Sequence, residues 1–139
     1  MPAADRWAPW IEPAYDFGLS NLVVSGVSPV SFGGTLSFTP HIATRIFYAL
    51  YLDVEETTAG TDQLEVDILL NAAIVSRVFT ASPNVKARDG LGRTKTADLL
   101  ALTTYTWGAQ AELSTATGTA WTIHGAQLSL VAMPNLTPP

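Results

Sequence analysis

His41 and His124 are the only imidazoles in the chain, and there is no cysteine. A multi-histidine metal site would therefore need a second subunit or carboxylate help. Thiol catalysis, thiolate-bound metal and a disulfide framework are excluded. His124 stands beside Gly125 in a stretch that reads as a strand, where a hydrogen-bonded strand histidine is the expected role. The segment DVEETTAGTDQLEVD carries Asp53, Glu55, Glu56 and Asp62, oxygen donors that calcium would accept in principle. It lacks the Asp-x-Asp-x-Asp-Gly spacing of a calcium loop and reads as a solvated hairpin connection. Nor do these acids suggest a cleft that would raise one carboxyl for acid–base work.

KARDGLGRTK, residues 86–95, sets glycines near a lysine, but Arg93 and Thr94 separate Gly92 from Lys95. A phosphate loop requires Gly-Lys-Ser/Thr to be contiguous and to open a helix. The basic residues Lys86, Arg88, Arg93 and Lys95 of this loop are either a contact patch for an acidic neighbour or a solubilising device. Trp107 and Trp121 offer ring faces for stacking on sugars, yet they run in phase with alanine and isoleucine, which assigns them to core packing. No serine, histidine and acid fall into a hydrolytic array. The residues predict no catalytic centre, no cofactor and no metal.

The elements that would position these residues are strands. Of 139 residues, 47% are apolar and only 14% charged, against about a quarter charged in an ordinary soluble domain. That size suits one domain with a sizeable core. The lean charge implies that part of the surface is covered by something else. A net charge of −5 with seven basic residues argues against a nucleic-acid-binding protein, which clusters Lys and Arg. The start MPAADRWAPW lacks the basic and apolar regions of a secretory signal, and no apolar run reaches the ~18 residues of a membrane span. No membrane insertion is expected, and the Asn-Leu-Thr at Asn135 carries no glycosylation meaning without export.

From Leu19 onward, short alternations of apolar and polar residues lie between Gly, Pro, Asn and Ser/Thr clusters, the signature of strands rather than helices. Strands are expected at 19–25, 35–39, 45–54, 63–70, 73–79, 96–105, 107–114 and 120–134. RIFYALYLDV is apolar on both faces, so the strand at 45–54 is expected to be covered on both sides. QLEVDILL turns its leucines, Val66 and Ile68 inward and Glu65 and Asp67 outward, and Asn71-Ala72 makes a hairpin turn to AIVSRVF. In AWTIHGAQLSLVAMP the apolar phase flips around Gly125, which predicts a β-bulge or a strand break near Gly125 and Ala126. About eight short strands in one domain make an all-β antiparallel jelly-roll sandwich. Before it, residues 1–18 place Trp7, Trp10, Ile11, Tyr15 and Phe17 around Pro9 and Pro13. The prolines hold this arm extended and out of a central strand, and its composition is that of a binding hot spot. It is expected to dock on a partner, with folding back onto its own domain as the alternative. The domain then runs over 19–134, with a short tail at 135–139.

The progression LSNLVVSGVSPVSFGGTLSFTP, ATRIFYALYLDVEETTAGTDQLEVDILLNAAIVSRVF and LLALTTYTWGAQAELSTATGTAWTIHGAQLSLVAMP resembles small jelly-roll, tumour-necrosis-factor-like structural proteins of tailed bacteriophage particles. The features that match are aromatic residues 47–51, the Asn71-Ala72 turn, a strand at 108–113 and a closing strand at 125–134. The resemblance implies a virion structural protein, assembled in the host cytoplasm as a homotrimer. A minor tail protein anchored by its arm is the first expectation, with a capsid decoration protein and a carbohydrate-binding module for host recognition as alternatives. Its partners would be its own copies, other virion proteins of the tail or capsid, and a host-surface glycan. In a three-fold assembly the strand at 45–54 would meet its copies, so Phe47, Tyr51 and His124 are the expected subunit interface.

Overall fold

The computed structural model describes residues 10–16, 21–79 and 88–135. Among the described residues there are nine strands and no helix: β1 (Trp10–Asp16), β2 (Leu22–Val24), β3 (Val30–Phe38), β4 (Thr44–Thr58), β5 (Leu64–Leu70), β6 (Ala73–Phe79), β7 (Arg88–Leu99), β8 (Tyr105–Leu113) and β9 (Ala120–Pro134). They form two antiparallel sheets. One has the order β1-β9-β4-β7 with β2 also paired to β9, and the other has the order β3-β8-β5-β6. Strands β2 to β9 are thus divided between the sheets as 2-9-4-7 and 3-8-5-6, the arrangement of a jelly roll.

The core lies between the sheets and is built by period-two alternation. Ile46, Tyr48, Leu50, Leu52 and Val54 of β4 face Leu64, Val66 and Ile68 of β5 and Trp107, Ala109, Ala111 and Leu113 of β8, all buried. β9 contributes Trp121 and Ile123 in one phase and Ala126, Leu128, Leu130 and Ala132 in the other. The flip is a bulge: Asp53 pairs with Gly125 but Val54 pairs with Ile123, so His124 is skipped in the ladder with β4. The glycine-side bulge expected from the sequence is present, centred one residue earlier, on His124.

Asn71 and Ala72 have φ of 50° and 65°, the left-handed pair that a two-residue hairpin turn requires. Gly33, at φ 68°, lies where β3 gains two residues on β8 between Phe32 and Leu36. In β1 the register shifts between Glu12 and Tyr15, around Pro13, whose missing N–H cannot serve the ladder.

Three sequence expectations need correction. The strand expected at 96–105 is two strands, because β7 ends at Leu99 and the chain turns through Leu102, at φ 58°, before β8. One long-range and one local bond set that turn: Leu102 N–H donates to Pro40 C=O at 2.7 Å and Leu100 N–H to Tyr105 Oη at 3.0 Å. The loop expected at 86–95 is strand from Arg88, because β4 supplies partners for it out to Glu55. Finally, Trp10–Asp16 of the expected arm is an edge strand of the chain's own sheet, paired with β9 through Trp10↔Ala132 and Ile11↔Val131. A proline-containing segment can occupy an edge, where one side of its backbone needs no partner.

Candidate functional site

The two outer faces of the sandwich differ in character. On the β3-β8-β5-β6 sheet the outer face carries a paired charge network across β5, β6 and β8, centred on Arg77. Arg77 holds Asp67 through Nε at 2.6 Å and Nη2 at 3.0 Å, Glu112 at 3.0 Å and Glu65 at 3.1 Å. Asp67 points outward as expected but is only 1% exposed beneath this network. Burial pushes its carboxyl up, and the hydrogen bonds from Arg77 and Gln110 outweigh that, leaving it below the ordinary value.

On the other sheet, the outer face of β9-β4-β7 is neutral along its middle. Phe47 stands between Thr96 and Val131, Ala49 between Thr94 and Ser129, and Tyr51 between Gly92 and Gln127. Phe47 is 36% and Tyr51 52% exposed. Among the described residues nothing covers the second apolar face of β4 at these two rings. A Cβ built on Gly92 would meet Tyr51 Cδ1 at 3.2 Å and Cε1 at 3.4 Å, so the tyrosine ring lies over that glycine and is supported by it. No larger residue at 92 would leave the ring there.

Forked ion pairs close the two ends of this neutral strip. At one end Arg45 Nε and Nη2 donate to Asp98 Oδ1 and Oδ2 at 2.7 and 3.1 Å. At the other, Arg88 Nε and Nη2 donate to Asp53 Oδ1 and Oδ2 at 3.1 and 2.7 Å. The hydrogen bond from each arginine holds its aspartate below the usual carboxylate range. A shallow cavity of about 230 Å³ opens at the first fork, lined by Arg45, Phe47, Thr96, Ala97 and Asp98.

His124 is a hydrogen-bonded strand histidine: Nδ1 lies 2.8 Å from Asn21 Oδ1 and Nε2 lies 2.7 Å from Glu55 Oε2. At the bulge the His124 ring joins Asn21, just before β2, to Glu55 of β4. It adjoins the Asp53 end of the aromatic strip, so Phe47, Tyr51 and His124 do share one side of the molecule.

The four acids weighed for calcium are dispersed. Asp53 pairs with Arg88 and Glu55 with His124. Asp62 is buried and accepts hydrogen bonds from the Thr115 hydroxyl and from the Thr117 hydroxyl and N–H, which with Thr119 lower its pKa to about 2. Glu56 accepts from Gly60 N–H at 3.0 Å through Oε1, while its Oε2 is buried without a partner. Among the described residues no group of three or more His, Asp or Glu is placed to hold a metal ion. These contacts instead bind the β4–β5 loop to the β8–β9 loop.

The basic residues expected as one contact patch are divided by strand alternation. Arg88 is on the outer face, whereas Arg93 and Lys95 share the inward phase of β7, opposite Leu50 and Tyr48. Arg93 Nε donates across the open edge of the sandwich to Ser76 Oγ at 3.1 Å. Such inward-pointing charge blunts an edge strand. Lys86 lies outside the described residues, as do Trp7 and Phe17. Trp10, Ile11 and Tyr15 lie on β1. Trp107 and Trp121 are 0% and 1% exposed, so they are core. Tyr48 and Tyr105 pack against the Trp107 ring at centroid distances of 5.8 and 6.5 Å. Among the described residues the exposed rings are Phe47 and Tyr51. Sequence reasoning found those two but missed their setting, namely the two forks and the small residues between them.

No protein-family model matches the chain, and no curated protein matches it. Solved structures similar to it include dimeric latent PorU from Porphyromonas gingivalis, with a TM-score of 0.49 and 13% identity over 92% of this chain. The chain spans 13% of that protein's length. A family 35 carbohydrate binding module from an environmental isolate has a TM-score of 0.43 and 18% identity, covering 83% of this chain and 76% of that one. The C-terminal domain of EclA, a sugar-binding protein, has a TM-score of 0.44 and 9% identity, covering 84% and 76%.

Proposed function

We propose that this chain is a non-catalytic jelly roll that recognises carbohydrate on the outer face of β9-β4-β7. The observation that carries the reading is the strip along β4. Two exposed rings, Phe47 and Tyr51, stand in line among the short polar side chains of Thr94, Thr96, Ser129 and Gln127. Aromatic faces take the C–H side of a sugar ring, and hydroxyl and amide groups beside them take its hydroxyls. A dry protein interface would need a larger continuous apolar centre. The biological setting we propose is the one the sequence resemblance implies, a tailed-phage particle, with the module on the tail or the head facing the host. His124 supports a binding role over a hydrolytic one, because both ring nitrogens are engaged by Asn21 and Glu55 rather than by a hydroxyl nucleophile.

Binding to an immobilised glycan array tests the reading. Wild-type protein is expected to bind at least one glycan class, and Phe47→Ala and Tyr51→Ala to lose that binding while melting at the wild-type temperature. Absence of binding, or binding indifferent to both changes, overturns it.

A second reading has its own support. The strip holds no unpaired charge, since its four end residues are tied up in two forks, and this suits self-association into the homotrimer implied by the resemblance. Sedimentation velocity separates the two. A trimer at micromolar concentration that Tyr51→Glu converts to a folded monomer favours assembly, and a wild-type monomer rejects it.

A further inference from the structure

We infer that the strip along β4 is a two-subsite platform for a linear oligosaccharide, each subsite made of one aromatic ring and one forked Arg–Asp pair. This rests on the carbohydrate reading above and goes beyond it in specifying the length and placement of the ligand.

The pattern is a repeat about Ala49. Reading along β4, Arg45 with its partner Asp98 is two residues from Phe47, and Asp53 with its partner Arg88 is two residues from Tyr51. Alternation puts all of these on one face. Both forks are accessible, with side chains 48% and 56% exposed at Arg45 and Asp98, and 58% and 48% at Arg88 and Asp53. In each, the bidentate contact consumes only part of the bonding capacity. The guanidinium keeps outward N–H groups and the carboxylate keeps lone pairs, so a planar donor and a planar acceptor lie side by side. That pairing fits neighbouring hydroxyls of a sugar, one accepting and one donating, next to a ring that takes the apolar side.

The spacing then sets the ligand. Phe47 and Tyr51 are four residues apart, roughly 13 Å along a strand at about 3.3 Å per residue. One sugar ring is too short to touch both. Between them the surface is low, with Ala49 flanked by Thr94 and Ser129, so a chain can pass without obstruction and find hydroxyls on the way. The cavity beside Phe47, about 230 Å³, receives a single ring and marks one end.

The test is isothermal titration with cello-, malto-, manno- and chito-oligosaccharide ladders of one to six units, alongside the glycan array. In at least one ladder, affinity is expected to rise tenfold or more between the monosaccharide and the longer members and then level off. Asp98→Asn and Asp53→Asn are each expected to weaken the long ligand at least fivefold while leaving the melting temperature near wild type. The cost in stability is small because both pairs are exposed. A monosaccharide that binds as tightly as its oligomers, or loss confined to one fork, overturns the two-subsite platform while leaving carbohydrate recognition intact. No binding to ladders or array overturns both.

Discussion

Arg77→Met would remove one guanidinium and leave three carboxylates facing one another on the outer side of β5, β6 and β8. In the wild type Arg77 lies within 3.1 Å of oxygens of Asp67, Glu65 and Glu112, whose side chains are 1%, 15% and 15% exposed. Breaking a buried pair by deleting one partner costs about 3–5 kcal/mol. Arg77 itself is 35% exposed, so solvent screens part of the field and about 2–4 kcal/mol is the reasonable figure. For a domain of this size that lowers the melting temperature by on the order of 10 °C. The methionine keeps most of the stem, so packing loss contributes little.

The pH dependence gives the diagnostic sign. With Arg77 present, the Asp67 pKa is depressed, so its contribution is in force above the ordinary carboxylate value and is lost as pH falls through the lower folded value. In Arg77→Met the carboxylates repel, and protonation relieves them. Urea denaturation at pH 7 and at pH 3 should therefore show a large gap between wild type and variant that narrows in acid. A gap below about 0.5 kcal/mol at pH 7, within the range of a neutral surface change, would refute the reasoning. A gap of equal size at both pH values would do so too. Adding Asp67→Leu to Arg77→Met should recover part of the loss, since replacing both members of a pair is cheaper than orphaning one.

Asp62→Asn should lower stability at neutral pH and flatten the acid limb between about pH 4 and pH 2, because the depressed pKa of about 2 makes its stabilisation present above the ordinary value and lost only as pH falls through the folded one; denaturant midpoints across that range check it. Gly60→Ala would drive a methyl into the Thr119 hydroxyl, which accepts a hydrogen bond from Asp62 N–H, and should cost about 1–3 kcal/mol by the usual penalty for overpacking, read by calorimetry. Ala72→Gly should be stabilising by up to about 1 kcal/mol, since Ala72 sits at φ 65° in the hairpin turn and a left-handed alanine is strained by roughly that amount net of glycine's entropy; an unchanged or lower midpoint would count against the turn geometry.

Much of the fold was legible in the residues. Alternation in QLEVDILL and AWTIHGAQLSLVAMP marks which side of each strand is buried, and the phase flip at Gly125 marks the bulge that frees His124. Strand ends were less legible. The 88–95 segment looks like a loop because glycines and charges alternate in it, and it is a strand because a fifteen-residue β4 offers it a full ladder. Leu100 and Leu102 look like strand or helix residues and are a turn because Pro40, distant in sequence, accepts the Leu102 N–H. The site was half visible: the rings of Phe47 and Tyr51 stood out by type, but the forks that frame them join residues 53 and 35 positions apart.

By itself the sequence determined the class of the molecule: strands from period-two hydrophobicity, turns from Asn, Gly and Pro, a core from Trp107, Trp121 and the aliphatic series. These are local properties, written in the order of residues along each strand. Which face of β4 stays open, which acids are neutralised and by whom, and that Arg45–Asp98 and Arg88–Asp53 repeat about Ala49 were decided only by tertiary structure. Register between strands distant in sequence sets those neighbours, and register is chosen by how whole sheets pack, not by any single segment.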